Sequence, residues 1–241
     1  MISKNEVKYI QSLSHKKNRD AEGVFIAETP KLVDELLKSG ISIKKMYATK
    51  DWQPISGYDI AVEVVDEVTL SRISQLETPN KIVAIAEKKK LPPLAFSDCL
   101  TLVLDGIQDP GNMGTIIRIA DWFGITQIIG SRDTADCYNP KVVQSSMGSI
   151  ARVNVWYDEL VPLLAKDKIP VYGALLQGES VYKMVHLPKE AMLVIGNESK
   201  GIRESLRPLI QYPVTIPRIG NAESLNAAVA TGILLSHLLH L

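Results

Sequence analysis

The sequence predicts an α/β protein in two parts, a parallel sheet with helices on both faces in the C-terminal part and a smaller α/β unit ahead of it. Three observations predict this. Apolar runs such as Leu102-Val103-Leu104 and Met192-Leu193-Val194-Ile195 are nearly continuous, as strands covered on both faces require. Such runs alternate with helical patterns from about residue 99 onward, which is how βα units read. Between the two parts, residues 87–98 join a Glu-Lys-Lys-Lys run to paired prolines and read as a linker. The expected division is 1–88, a linker at 89–98, and 99–241.

The first part opens with a polar helix over residues 3–13, followed by a short strand, Gly23 to Ala27. Thr29-Pro30 then caps and opens a helix over 31–39. Leu32, Val33, Leu36 and Leu37 share one face of that helix, and Gly40 is placed to end it. Strands are expected at Ile43 to Ala48, Ile60 to Val65 and Lys81 to Ala86, with a short helix after Asp66. In the second part the strands fall at 100–104, 127–129, 153–156, 171–175, 191–195 and 212–216. Helices are expected at about 114–123, 140–148, 158–166, 202–209 and 224–239. The last is apolar almost all round, so it is wholly internal or half covered by a second subunit.

Composition narrows the function classes. Of the 241 residues 46% are apolar and 22% charged, enough to bury a real core. The one long apolar stretch, at the last helix, is broken by Ser236 and His237 and reads as a buried helix and not a membrane span. Met1 to Glu6 lacks the basic start and apolar block of a secretory signal, so a cytoplasmic address is expected. Cys99 and Cys137 stand apart from any CxxC or Cys/His cluster, so no metal site is expected. Net charge is zero, which argues against bulk capture of nucleic acid. Yet residues 1–19 carry Lys4, Lys8, Lys16, Lys17 and Arg19 against Glu6 alone. That cluster is either a basic patch or an ordinary solvated helix.

Ligands of parallel sheets bind beyond the carboxyl ends of the strands, and three such loops are unusual here. The first, Asp105 to Arg118, leaves a strand through a turn-rich stretch and enters a helix at about Gly114. Gly111 and Gly114 would permit special backbone shapes or close approach, and the helix start would suit a phosphate. Arg118 would lie one turn in. Alone, the segment reads equally as a tight βα turn with a surface arginine. The second, Val194 to Gly201, offers Asn197, the Glu198 carboxylate and two glycines, or simply a capped helix start. The third, Ile216 to Asn226, is a long approach to the last helix, with Ser224 and Asn226 opening it. No G-x-G-x-x-G follows a strand and no Gly-Lys-Ser/Thr follows the first loop, which excludes the dinucleotide fingerprint and the P-loop.

Together, and in this order, the three segments resemble the SpoU or TrmH family of RNA ribose 2′-O-methyltransferases, in the SPOUT class. The resemblance covers about residues 100–241. The residues before it are similar to the small ribosomal-protein-L30-like substrate-binding domain, through Lys17-Asn18-Arg19 and Gly23 to Glu28. The resemblance implies a deep trefoil knot, S-adenosylmethionine as cofactor, a homodimer, and rRNA or tRNA as substrate. It casts Asn112, Arg118, Glu198, Ser224 and Asn226 as catalytic, and Leu175, Gly196, Asn197, Gly201, Ile216, Ser224 and Leu225 as cofactor-binding. Lys16, Lys17, Arg19 and Arg118 are the expected RNA contacts. Met113 and Ile119 depart mildly from the family pattern and leave each polar position intact.

Because guanidinium is effectively never deprotonated, Arg118 suits a phosphate clamp that also helps the forming alkoxide better than it suits a base. The competing readings are an RNA-binding or ribosome-assembly protein that keeps the fold without catalysis, and a metabolic α/β enzyme with a nucleotide cofactor. Intact Arg118, Glu198 and Asn226 speak against the first, and the missing nucleotide fingerprints against the second.

Overall fold

The computed structural model describes residues 2–53, 61–166, 169–184 and 187–239. In chain order its elements are α1 (Lys4–Ser12), α2 (Lys16–Glu22), β1 (Val24–Glu28), α3 (Pro30–Lys38), β2 (Ile43–Ala48), β3 (Val62–Val64), α4 (Glu67–Ile73) and β4 (Ile82–Glu87). There follow β5 (Leu100–Asp105), α5 (Pro110–Trp122), β6 (Gln127–Ser131), α6 (Pro140–Ser146), β7 (Asn154–Asp158), α7 (Leu160–Lys166), β8 (Val171–Ser180), β9 (Ala191–Gly196), β10 (Tyr212–Thr215) and α8 (Ala227–Leu238). Two compact units result: Met1–Lys90 with Asp136–Arg152, and Leu91–Ala135 with Val153–Leu241. That α6 and its flanks join the first unit is announced by no sequence pattern.

In the first unit a four-stranded sheet runs in the order β1-β4-β2-β3, antiparallel except for β2 beside β3. Ile10, Leu13, Ile26, Tyr47, Leu70, Ile73 and Ile85 fill the core between this sheet and the helices. The ending foreseen for α3 is present: Gly40 has φ 73°, Gly40 N–H donates to Leu37 O, and Ile41 N–H donates to Leu36 O, a Schellman closure. Thr29, by contrast, makes no side-chain cap and has φ 78°. Helix α2 is not foreseen, since Lys-Lys-Asn-Arg-Asp-Ala-Glu has no apolar face to show. The strand expected from Ile60 runs over Val62–Val64, and Ile60 itself lies outside the described residues.

The second unit is the expected parallel sheet, six strands in the order β10-β8-β9-β5-β6-β7. Every residue of β5 and β6 is buried. One face packs Val103, Ile129, Met192 and Val194 with Leu160, Leu164, Ile202 and Leu206. The chain runs outward from β5 to β7 and then returns to the other side of β5, so the order reverses between β5 and β9. Crevices open at the carboxyl ends of strands flanking such a reversal.

Three expected helices are corrected. Helix α5 starts at Pro110 and not near Gly114, because Asp109 accepts a bond from Asn112 N–H at 2.8 Å and Pro110 occupies the first helical position. Asn112 thus stands in the first turn and Arg118 more than one turn further on, and neither Gly111 nor Gly114 has positive φ. Residues 202–209 form a chain of i+3 turns ending in the short 3₁₀ segment Arg207–Leu209. Pro208 supplies no N–H for an α-helical ladder there. Helix α8 starts at Ala227, so Ser224 lies in the loop before it.

Candidate active site

Strand β5 ends on Asp105, a carboxylate only 1% exposed, and the chain turns away at Gly106 with φ 71°. Beside it β9 ends on Gly196, where an added Cβ would stand 2.3 Å from Gly201 C and Ile202 N. Only glycine fits that position. The following loop closes on itself, Asn197 and Gly201 exchanging backbone bonds of 3.1 and 2.8 Å. Asn197 Oδ1 accepts from Ser199 N–H and Lys200 N–H, and Asn197 Nδ2 donates to Gly106 O at 2.7 Å. This side chain therefore staples two strand ends together.

The three unusual loops meet in one hydrogen-bonded chain. Asn226 caps α8, its Oδ1 accepting from Ala228 N–H and Val229 N–H at 3.0 and 3.2 Å. Its Nδ2 donates to Asn112 Oδ1 at 2.8 Å, and Asn112 Nδ2 donates to Glu198 Oε1 at 2.6 Å. Of the residues cast as catalytic, Asn112, Glu198 and Asn226 are thus brought together. Ser224 lies exposed in the wall of the adjoining cleft, and Arg118 lies exposed on α5 outside that lining.

The cleft measures about 760 Å³, within the size of small-ligand sites. All seven residues cast as cofactor-binding line it: Leu175, Gly196, Asn197, Gly201, Ile216, Ser224 and Leu225. One wall comes from an irregularity in the sheet. Pairing of β10 with β8 jumps from Pro213↔Gly173 to Val214↔Glu179, which leaves residues 174–177 free to turn toward the cleft. Leu175, Ile195, Ile216, Leu225 and Leu234 supply apolar surface, and the loop backbones supply polar edges.

In the first unit Lys16 and Lys17 are exposed, as a nucleic-acid contact requires. Arg19 is not available. It is 1% exposed, pairs with Asp136 at 2.6 Å and donates to Leu13 O and Ser14 O. Its assignment as an RNA contact is corrected to a structural one, since a basic cluster in sequence does not say which cation points inward.

Two groups at the site carry no role in the sequence reading. Asp105 is bound by Arg203, whose backbone N–H donates to Asp105 Oδ2 at 2.8 Å and whose guanidinium pairs with Asp105 and Asp133. The Ser131 hydroxyl, and then Arg203, hold the Asp133 carboxyl below its ordinary range. A carboxylate closing an otherwise uncharged, wholly buried strand signals a buried charge in need of a partner. Nothing in the sequence singles out Arg203.

The model of the SpoU rRNA Methylase family matches residues 99–236, and that of an MRM3-like substrate binding domain matches residues 4–84. The chain is 33% identical over 242 residues to the 23S rRNA (guanosine(2553)-2′-O)-methyltransferase RlmP of Bacillus subtilis, covering 98% of this chain and 97% of that protein. A solved TrmH-family structure from Porphyromonas gingivalis is 38% identical with a TM-score of 0.88, over 99% of this chain and 98% of the other. An AdoMet-bound rRNA methyltransferase from Sinorhizobium meliloti is 29% identical with a TM-score of 0.85, over 99% and 96%.

Proposed function

The chain belongs to the SpoU rRNA methylase family, and from that premise we propose that it methylates a ribose 2′-hydroxyl of ribosomal RNA with S-adenosylmethionine. The observation that carries the site assignment is the chain of bonds Asn226–Asn112–Glu198 at the edge of the cleft.

The cleft fits the cofactor by its size, its apolar walls and the close backbone approach that Gly196 permits. Leu175, Ile216 and Leu225 would hold it, with Gly196, Gly201 and Ser224 at its polar edges and Asn197 setting the loop. When bound, S-adenosylmethionine supplies an electrophilic methyl group on a sulfonium. Asn226 fixes Asn112, and Asn112 fixes one oxygen of Glu198, so the carboxylate meets the ribose with its orientation already set. Arg118 clamps the adjacent phosphate and offsets charge growing on the hydroxyl oxygen. Residues 1–88 grip the RNA through Lys16 and Lys17, and residues 99–241 carry the catalysis.

Three further features complete the reading. The segment between β9 and α8 is threaded as a trefoil knot, supported by the meeting of residues 174–177, 195–202 and 214–225 around one cleft. The protein is a homodimer through α5 and α8, where Ile119, Ala228, Val229, Gly232 and Ile233 line an apolar hollow and Val229 stands 52% exposed. It works in the cytoplasm, and among the described residues no helix is long and apolar enough to cross a membrane.

The test is methyl transfer to 23S rRNA followed by nucleoside analysis for a 2′-O-methyl product. Arg118→Ala should cut turnover by about a hundredfold or more and leave S-adenosylmethionine affinity within about twofold; full turnover in that variant refutes the clamp. Sedimentation at micromolar concentration should give the dimer mass, and Val229→Glu should shift it toward the monomer.

A further inference from the structure

We propose that Arg203 is a positioning residue for the cofactor: it locks the 196–202 loop shut by neutralising the buried Asp105 carboxylate at the end of β5. Neither Asp105 nor Arg203 is among the residues lining the cleft, so the effect passes through the loop. The inference rests on assigning the cleft to S-adenosylmethionine.

Asp105 is 1% exposed at the carboxyl end of a central strand. An ionised carboxylate there is costly unless paired and hydrogen-bonded. Both of its oxygens meet Arg203: Oδ2 accepts the backbone N–H at 2.8 Å, and Oδ1, which is buried without a hydrogen-bond partner, is ion-paired with Nε. Backbone and side chain of one residue thus dock together, so the carboxylate is neutralised only when the chain leaving the loop lies against β5. The outer end of Arg203 is held as well, Nη2 reaching both oxygens of Asp133 at 3.0 and 3.2 Å.

The lock closes back on the loop through a second path. Ser131 Oγ donates to Asp133 at 2.6 Å and accepts from Gly106 N–H at 2.9 Å. Gly106 O in turn accepts from Asn197 Nδ2 at 2.7 Å. The loop is therefore tied at its start by Asn197 and at its end by Arg203, to Gly106 and Asp105 at the carboxyl end of β5. Between these ties sit Gly196, Glu198, Gly201 and Ile202 in the cleft lining, with Glu198 receiving Asn112. Releasing one tie lets the loop part from β5 and blurs the edge against which the cofactor is held.

The experiment combines hydrogen exchange on the cofactor-free protein with calorimetry of S-adenosylmethionine binding and RNA binding. In Arg203→Ala the amides of residues 197–203 should exchange faster while those of β1 and β4 do not change. Its cofactor Kd should rise about tenfold with RNA affinity within about twofold, and Arg203→Lys should recover part of the loss, because it restores charge without the planar two-carboxylate grip. Asp133→Asn takes away the charge of the exposed outer tie and weakens the Ser131 bond to it, and should raise the Kd about threefold, which keeps the test usable if Arg203→Ala folds poorly. Unchanged exchange and affinity in either variant overturn the proposal, as does an equal loss of cofactor and RNA binding. Failure of the wild type to bind S-adenosylmethionine would instead sink the cleft assignment, and the exchange measurement would still decide whether Arg203 holds the loop.

Discussion

At Gly196 the backbone of Gly201 and Ile202 occupies the space a side chain would need. The requirement is steric and owes nothing to left-handed backbone, since Gly196 is not among the glycines with positive φ. Gly196→Ala should therefore push the loop off the end of β9, cost about 1–3 kcal/mol as overpacking does, and raise the cofactor Kd by about tenfold or more; normal binding by calorimetry would show that the loop can yield. Single residues also show where sequence reading stops. Glu198, Asn112 and Asn226 were legible because short ordered motifs carry them, and the structure joins them by direct bonds. Lys17 and Arg19 were indistinguishable as members of one cluster, although one is exposed and the other buried against Asp136.

At the scale of elements, local chemistry predicted best where the determinants are local. Helix α3 ends as Gly40 requires, because a left-handed closure is decided by a few adjacent residues. Helix α5 begins earlier than its glycines suggested, because Asp109-Pro110 is a stronger start signal than Gly114. That start also aims Asn112 at Glu198. Asp109→Ala should cost about 1 kcal/mol of stability and lower turnover through Asn112, with Asp109→Ser retaining most of both; equal denaturation midpoints for wild type and Asp109→Ala would remove the cap from the account. Residues 202–209 had the apolar spacing of a helix, but Arg203 is drawn to Asp105 and Asp133, residues far away in sequence, and Pro208 interrupts the ladder.

For the whole molecule, segment 136–152 completes the first unit. Asp136 neutralises Arg19, and Tyr138 packs tilted against Phe25, with ring centroids 4.9 Å apart, and accepts from Lys89 N–H. Burial lowers Lys89 to about 8, the nearby Cys137 partly opposing it, against an ordinary lysine value near 10.4. The folded protein then binds fewer protons than the unfolded chain between those values, so this group makes stability rise as pH climbs from about 8 to about 10.4. Melting curves across that range should rise less steeply for Lys89→Met than for wild type, and parallel slopes would refute the shift. By itself the sequence determined the α/β class, the order of strands along the chain and the family, and it picked out Asn112, Glu198 and Asn226, which the structure joins, because periodicity, turn chemistry and short motifs are written in neighbouring residues. Only the tertiary structure decided that β5 lies beside β9, that Arg19 points inward and that Arg203 closes on Asp105, because pairing partners and buried charges are selected among residues distant in sequence, by which of them can be desolvated together.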